Sequence, residues 1–139
     1  MSEWSSFAGI IKEFIQLFDA LISVEQTKLD SAVANKVSFV EECMNKEQAA
    51  ILKLRGLENK REAEQARLGA EGLTFRQILA NVSEEDSLIL KPLFEELSGK
   101  VQDFQSISSS AREMIELNLH NIRGALHAKD GKNFTSRSV

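Results

Sequence analysis

Residues 4–29 read WSSFAGIIKEFIQLFDALISVEQTKL. The apolar positions that set the pattern are Trp4, Phe7, Ile10, Ile11, Phe14, Leu17, Phe18, Leu21, Ile22, Val24 and Leu29. Placed at about 100° per residue, nearly all of them fall in a stripe roughly 160° wide. Lys12, Gln16, Asp19 and Ser23 cluster on the opposite side. A stripe that wide suits a helix packed against two neighbours rather than one. The spacing therefore predicts a first helix over about 4–29, flanked on two sides.

The next residues, 30–35 (DSAVAN), lack useful periodicity and read as a turn or local break. The apolar pattern resumes with Val37, Val40, Met44, Ile51 and Leu54, with Cys43, Ala50 and Leu57 on one shoulder. Residues 59–67 (NKREAEQAR) hold only alanine as apolar content, yet all are acceptable or near-acceptable helix formers. A second helix over about 36–68 follows, with a polar end that is weakly buried or protrudes. Gly69 and Gly72 supply its stop signals. Residues 73–80 (LTFRQILA) suit a short extra helix. Ser83 with Asp86 three residues on forms a capping box in its Asp variant. From there Leu90, Leu93, Phe94, Leu97, Val101, Phe104, Ile107, Ala111, Ile115, Leu119, Ile122, Ala125 and Leu126 keep one face, predicting a third long helix over about 83–128 with a kink at Pro92.

Apolar residues make up 42% of the 139 and aromatics only 6%, with one proline, no tyrosine and seven glycines, which favours long helices over a β-sandwich or barrel. The fold expected is all-α: an elongated antiparallel bundle of three long helices around one seam, as a single domain over 1–128, with a flexible, disordered tail over 129–139. The charge of −4 runs against a phosphate-binding surface, so no nucleic acid partner is expected. The alternating signs in 59–67 read as a solvated helix face rather than a basic arm. No run of about 18 uncharged apolar residues exists, which argues against membrane insertion. The lone Cys43 and the absence of a basic n-region suit a cytoplasmic protein.

The motifs of nucleotide binding, zinc proteolysis and nucleophilic hydrolysis are missing, and so are the Glu-x-x-His pairs of di-iron bundles. No catalytic residue, cofactor or metal is expected. His120 and His127 lie one heptad apart on the polar side of the third helix, near Glu113 and Glu116, and read as solvated residues. Cys43 reads as a small packed side chain. A helical-bundle enzyme would need buried carboxylates with ligand partners, and Glu25, Glu47 and Glu58 are the only acidic residues on core stripes. Asn118 falls on the apolar stripe, where it either fixes register or sits at an unpaired end of the bundle.

Pairing the first two helices through a break near Ser31 puts Leu29 near Val37 and Trp4 opposite about Glu62. The third helix then reaches the level of Val37 near residue 115, leaving roughly twelve residues, about 18 Å, uncovered. That overhang is apolar: Leu117, Leu119, Ile122, Ala125 and Leu126, with Met114 and Ile115 just before it. Such a helix end is expected to dock a partner or to self-associate.

Residues 25–69 resemble the FlgN family of flagellar export chaperones. There a leucine-rich first helix ends in an acidic residue and a short break, and a helix rich in Lys and Glu closes on Leu-Gly. The matching residues are Lys46, Glu47, Ile51, Leu52, Leu57, Glu58, Arg61, Leu68 and Gly69, with Asn118, Leu119 and Ile122 in the last helix. The likeness extends over about residues 4–127. It implies a cytosolic chaperone that binds hook–filament junction proteins (FlgK and FlgL) before their export and delivers them to the flagellar export machinery. The C-terminal helical region that binds cargo in such proteins would map onto Met114, Ile115, Leu117, Asn118, Leu119, Ile122 and Leu126. The alternative is a structural coiled-coil protein that forms a homodimer or larger homo-oligomer through the same apolar face.

Overall fold

The computed structural model describes residues 2–126, with side chains as far as residue 115. The described residues form four helices: α1 (Ser5–Val33), α2 (Val37–Arg67), α3 (Phe75–Asn81) and α4 (Glu84–Leu126). The all-helical content and the order of elements are those expected. None of these helices is long and apolar enough to cross a membrane.

The wide stripe of α1 has the consequence that its width demands. Helix α1 packs along both α2 and α4, while α2 and α4 barely approach each other. Ion pairs between Glu13 and Lys60 and between Lys28 and Glu47 show α2 running back along α1. Phe7 meets Phe94 and Phe18 meets Phe104, so α4 runs in the same direction as α1. A seam shared equally by three helices is therefore not the arrangement. One helix is central and two flank it.

The large apolar side chains are concentrated at one end. Phe7, Ile11, Leu21, Ile78 and Leu90 are all but inaccessible to solvent. Trp4 and Phe7 meet edge to face, Phe7 meets Phe94 likewise, and Phe75 stacks on Phe94 with centroids 4.2 Å apart. Aromatic pairs of this kind add about 0.5–1.5 kcal/mol each beyond the area they bury. This end, called proximal below, also holds the α2–α3 loop. The distal end holds the α1–α2 turn and the later part of α4.

Helix α1 runs four residues further than its sequence suggests. Asn35 sits at φ 58°, its N–H bonds the Ala32 carbonyl (3.0 Å), and the Lys36 N–H bonds the Ser31 carbonyl (2.8 Å). That is a Schellman stop, with asparagine in the left-handed position that glycine usually takes. The break therefore occupies 34–36 rather than 30–35. The same stop ends α2: Gly69 has φ 73°, with bonds from Gly69 N to Ala66 O and from Ala70 N to Gln65 O.

This turn moves the register. The Arg67 guanidinium reaches the Glu3 carbonyl at 3.3 Å, so the N-terminus lies beside the last turn of α2 and not beside Glu62. The polar end of α2 does not protrude. Its Gln65 is 2% exposed, and its amide donates to the carbonyls of Ala70 (3.0 Å) and Leu73 (3.1 Å). Arg61 donates to the Gln65 side-chain oxygen and grips Glu58 with two bonds, at 3.0 and 2.8 Å. The guanidinium bond holds the Glu58 carboxyl below its usual range and raises Arg61. This chain of side chains fixes the α2–α3 loop, and Thr74 with Gln77 then starts α3 through a reciprocal capping box.

The start of α4 also differs from expectation. Asp86 N–H donates to Ser83 Oγ (3.2 Å), while its carboxylate accepts from the Ser2 hydroxyl and so ties the N-terminal segment to the first turn of α4. Helix α4 continues as helix through Pro92. Pro92 is exposed, so the carbonyl that it leaves without a helix partner, that of Leu88, can bond water. The 129–139 tail lies outside the described residues.

Gln65→Leu should cost about 1–3 kcal/mol in urea unfolding, because it leaves loop carbonyls without their donor. Glu58 has a depressed folded-state pKa, so its pairing contributes stability above the ordinary glutamate range and loses it as pH falls through the folded value. Glu58→Gln should therefore flatten the acid limb of the stability profile below about pH 4.5. An unchanged acid limb would show that the pair contributes nothing.

Candidate partner-binding surface

The distal half is built from different side chains. Beyond Leu21 on α1 the buried residues are Glu25, Lys28, Ser31 and Ala32. The buried residues in the distal parts of α2 and α4 are small: Val40, Cys43 and Ala111. Lys28, itself 7% exposed, is the centre of an ion cluster. Its ammonium lies 3.2 and 3.0 Å from the two oxygens of Glu25 and 3.0 Å from Glu47 Oε2. Glu25 is inaccessible to solvent, and its Oε2 accepts no hydrogen bond among the described residues although the ammonium is close.

The buried face of α2 is rotated toward the shoulder of the stripe its sequence suggests. Val40, Cys43, Ala50, Leu54 and Leu57 turn inward, whereas Val37, Met44 and Ile51 are exposed. Cys43 and Ala50, small residues one heptad apart, sit where the two helices meet. The neighbouring stripe of larger side chains is thereby left to solvent. With Val33 (62% exposed) and Phe39 (51%), Val37 and Met44 surround the α1–α2 turn with uncovered apolar surface. These residues were not singled out as a surface by periodicity. A second apolar heptad stripe beside the first, 37–44–51, was the readable signal.

Of the residues expected to bind a partner, Met114 and Ile115 are half-buried. The side chains of Leu117, Asn118, Leu119, Ile122 and Leu126 lie outside those described, as do those of Glu116, His120 and His127. Their backbone continues α4 as helix through Leu126. The Phe18–Phe104 pair sets an offset of about 86 residues between α1 and α4. Carried on at the same rise, it puts the last residue of α1 level with about residue 119. About seven residues of α4, roughly 10 Å, then extend past α1. The longer α1 accounts for the reduction from the expected 18 Å.

Between α2 and α4 a groove of about 430 Å³ opens over the α1 side chains Phe14 and Phe18, with Leu54 on one wall and Val101 on the other. The three acidic residues on core stripes have partners: Glu25 and Glu47 share Lys28, and Glu58 holds Arg61. No group of three or more His, Cys, Asp or Glu side chains suited to a metal ion occurs among the described residues.

Comparison with curated proteins and with solved structures returned no match. The family model described as FlgN protein matches residues 1–136, nearly the whole chain. The central α1, the long α4 and the α2 segment closing on Leu68-Gly69 all lie within that match. The chain belongs to the FlgN family of flagellar export chaperones.

Proposed function

We propose that this chaperone acts in the cytoplasm on hook–filament junction proteins of the FlgK and FlgL kind, and hands them to the flagellar export machinery. Cargo binds on residues 114–126, through Met114, Ile115, Leu117, Asn118, Leu119, Ile122 and Leu126. The observation that carries this reading is the length of α4: it continues as helix to Leu126, past the level at which α1 stops. The sequence of that extension is apolar, and a helix so composed is stabilised by a partner that covers it. Exposed Val33, Val37, Phe39 and Met44 at the same end enlarge the apolar area available to a cargo helix. The same exposed residues favour a second reading, a homodimer formed through the distal end.

Mixing the full chain with a FlgK- or FlgL-type protein in a calorimeter separates the two. Saturable heat is expected, and Leu119→Glu with Ile122→Glu should weaken binding on the order of a hundredfold or more, since two apolar side chains lose their burial. Lys53→Glu, a change at an exposed residue in the middle of α2, away from the distal end, should leave the affinity as it was. No heat, together with a dimer that the double variant dissociates, would replace the cargo reading with self-association.

A further inference from the structure

We propose that the Glu25–Lys28–Glu47 cluster is a latch that divides the molecule into a firm proximal half and a distal half that opens at low cost to admit cargo. The purpose assigned to the opening rests on the cargo reading above. The latch itself rests on geometry alone.

The contrast in packing between the halves is the first ground. The bulky buried apolar residues of α1 end at Leu21, and those of α4 end at Leu97. Beyond them only Ala32, Val40, Cys43 and Ala111 are buried apolar residues among the described side chains, and each is small. The remaining large apolar side chains of this half, Ile22, Leu29, Phe104 and Ile107 among them, are only half-buried, and hydrophobic burial scales with area, so separating this half forfeits less of it than separating the proximal half. At the same end Val33, Val37 and Met44 are already exposed, and opening costs them nothing further.

The composition of the cluster is the second ground. Two carboxylates share one ammonium, so the cluster carries a net negative charge in a site where Glu25 is inaccessible to solvent. Glu25 Oε2 lacks a hydrogen bond among the described residues. A buried ionic group that is only partly satisfied regains hydration when the site opens, which offsets the loss of its ion pairs. The cluster also spans the joint: Glu25 and Lys28 belong to α1, and Glu47 belongs to α2. Lys28 is thus the tie between the distal parts of these two helices. Ala111, seven residues after Phe104, falls at the level of Glu25, seven after Phe18, so the same layer lies under α4 just before the proposed cargo segment. Units of this kind open independently of a protein's firmer core.

Hydrogen exchange on the free full-length protein, read beside cargo calorimetry, tests the latch. Amides of residues 22–31 and 40–50 should exchange at least about tenfold faster than those of residues 8–18, in the proximal half of α1. Glu25→Leu/Lys28→Met/Glu47→Leu, which replaces the ions with apolar groups of similar length, should slow distal exchange about tenfold or more and weaken cargo binding, because the half no longer opens. Lys28→Met alone strands two carboxylates and should speed distal exchange while leaving residues 8–18 protected. Uniform protection in the unaltered protein, or a Lys28→Met effect spread equally over both halves, would overturn the latch. Slower distal exchange in the triple variant with unchanged cargo affinity would overturn its role in cargo uptake. If no cargo binds even to the unaltered protein, the chaperone reading fails, and the exchange pattern still decides whether the latch exists.

Discussion

The burial of α1 on two sides is the constraint from which the rest of the structure follows. A helix with an apolar stripe roughly 160° wide cannot satisfy it against a single neighbour. Helix α2 covers one flank by returning through a tight turn. To cover the other flank in the same direction as α1, the chain must cross back over the proximal end, and residues 68–83 make that crossing. The crossing is itself built into the core: Ala70 and Ile78 are buried, and Phe75 stacks on Phe94. Gln65, Arg61 and Glu58 then tie the polar end of α2 to the loop. The proximal end is thus closed by apolar packing and by a directed set of hydrogen bonds at once.

The three long helices, the short one between them and the width of the α1 stripe were all legible in the sequence, because periodicity reports which face of a helix is buried. Periodicity does not report which of two adjacent stripes a neighbour chooses, and on α2 it chose Cys43 and Ala50 over Met44 and Ile51. Nor does it place a turn to the residue. Six residues of DSAVAN looked equally suited to a break, whereas the chain stops only where Asn35 accepts a left-handed conformation. A few residues of error there moved the register of α2 against α1, made its polar end look unsupported and lengthened the apparent overhang of α4. Gln65 was hidden for another reason. In a run of charged and amide side chains, nothing local marks the one that a distant loop will cover. Of the proposed cargo residues, Met114 and Ile115 are half-buried, and the others lie beyond the described side chains.

On the proposed function, the two ends of the molecule answer different requirements of an export chaperone. One must persist as a folded body while the cargo comes and goes. The other must offer apolar surface without collapsing on itself. Aromatic packing around Phe7 serves the first. Small residues and ions in the distal interior serve the second, since they hold α1 and α2 in register without using the apolar side chains Val33, Val37 and Met44. At the distal end the exposed apolar residues are interspersed with the charged Lys36, Glu41 and Glu42, which limits aggregation there.

On the proposed function, cargo is held at the distal end, on the extension of α4, while the proximal body stays free. Photo-crosslinking in the presence of a FlgK- or FlgL-type protein tests it most directly, with a photoreactive amino acid placed in turn at position 119, at 122 and at the exposed proximal Lys12. Covalent adducts with the junction protein are expected from positions 119 and 122 and none from position 12. Adducts formed from position 12 alone would place the cargo on the proximal body and contradict the proposed function.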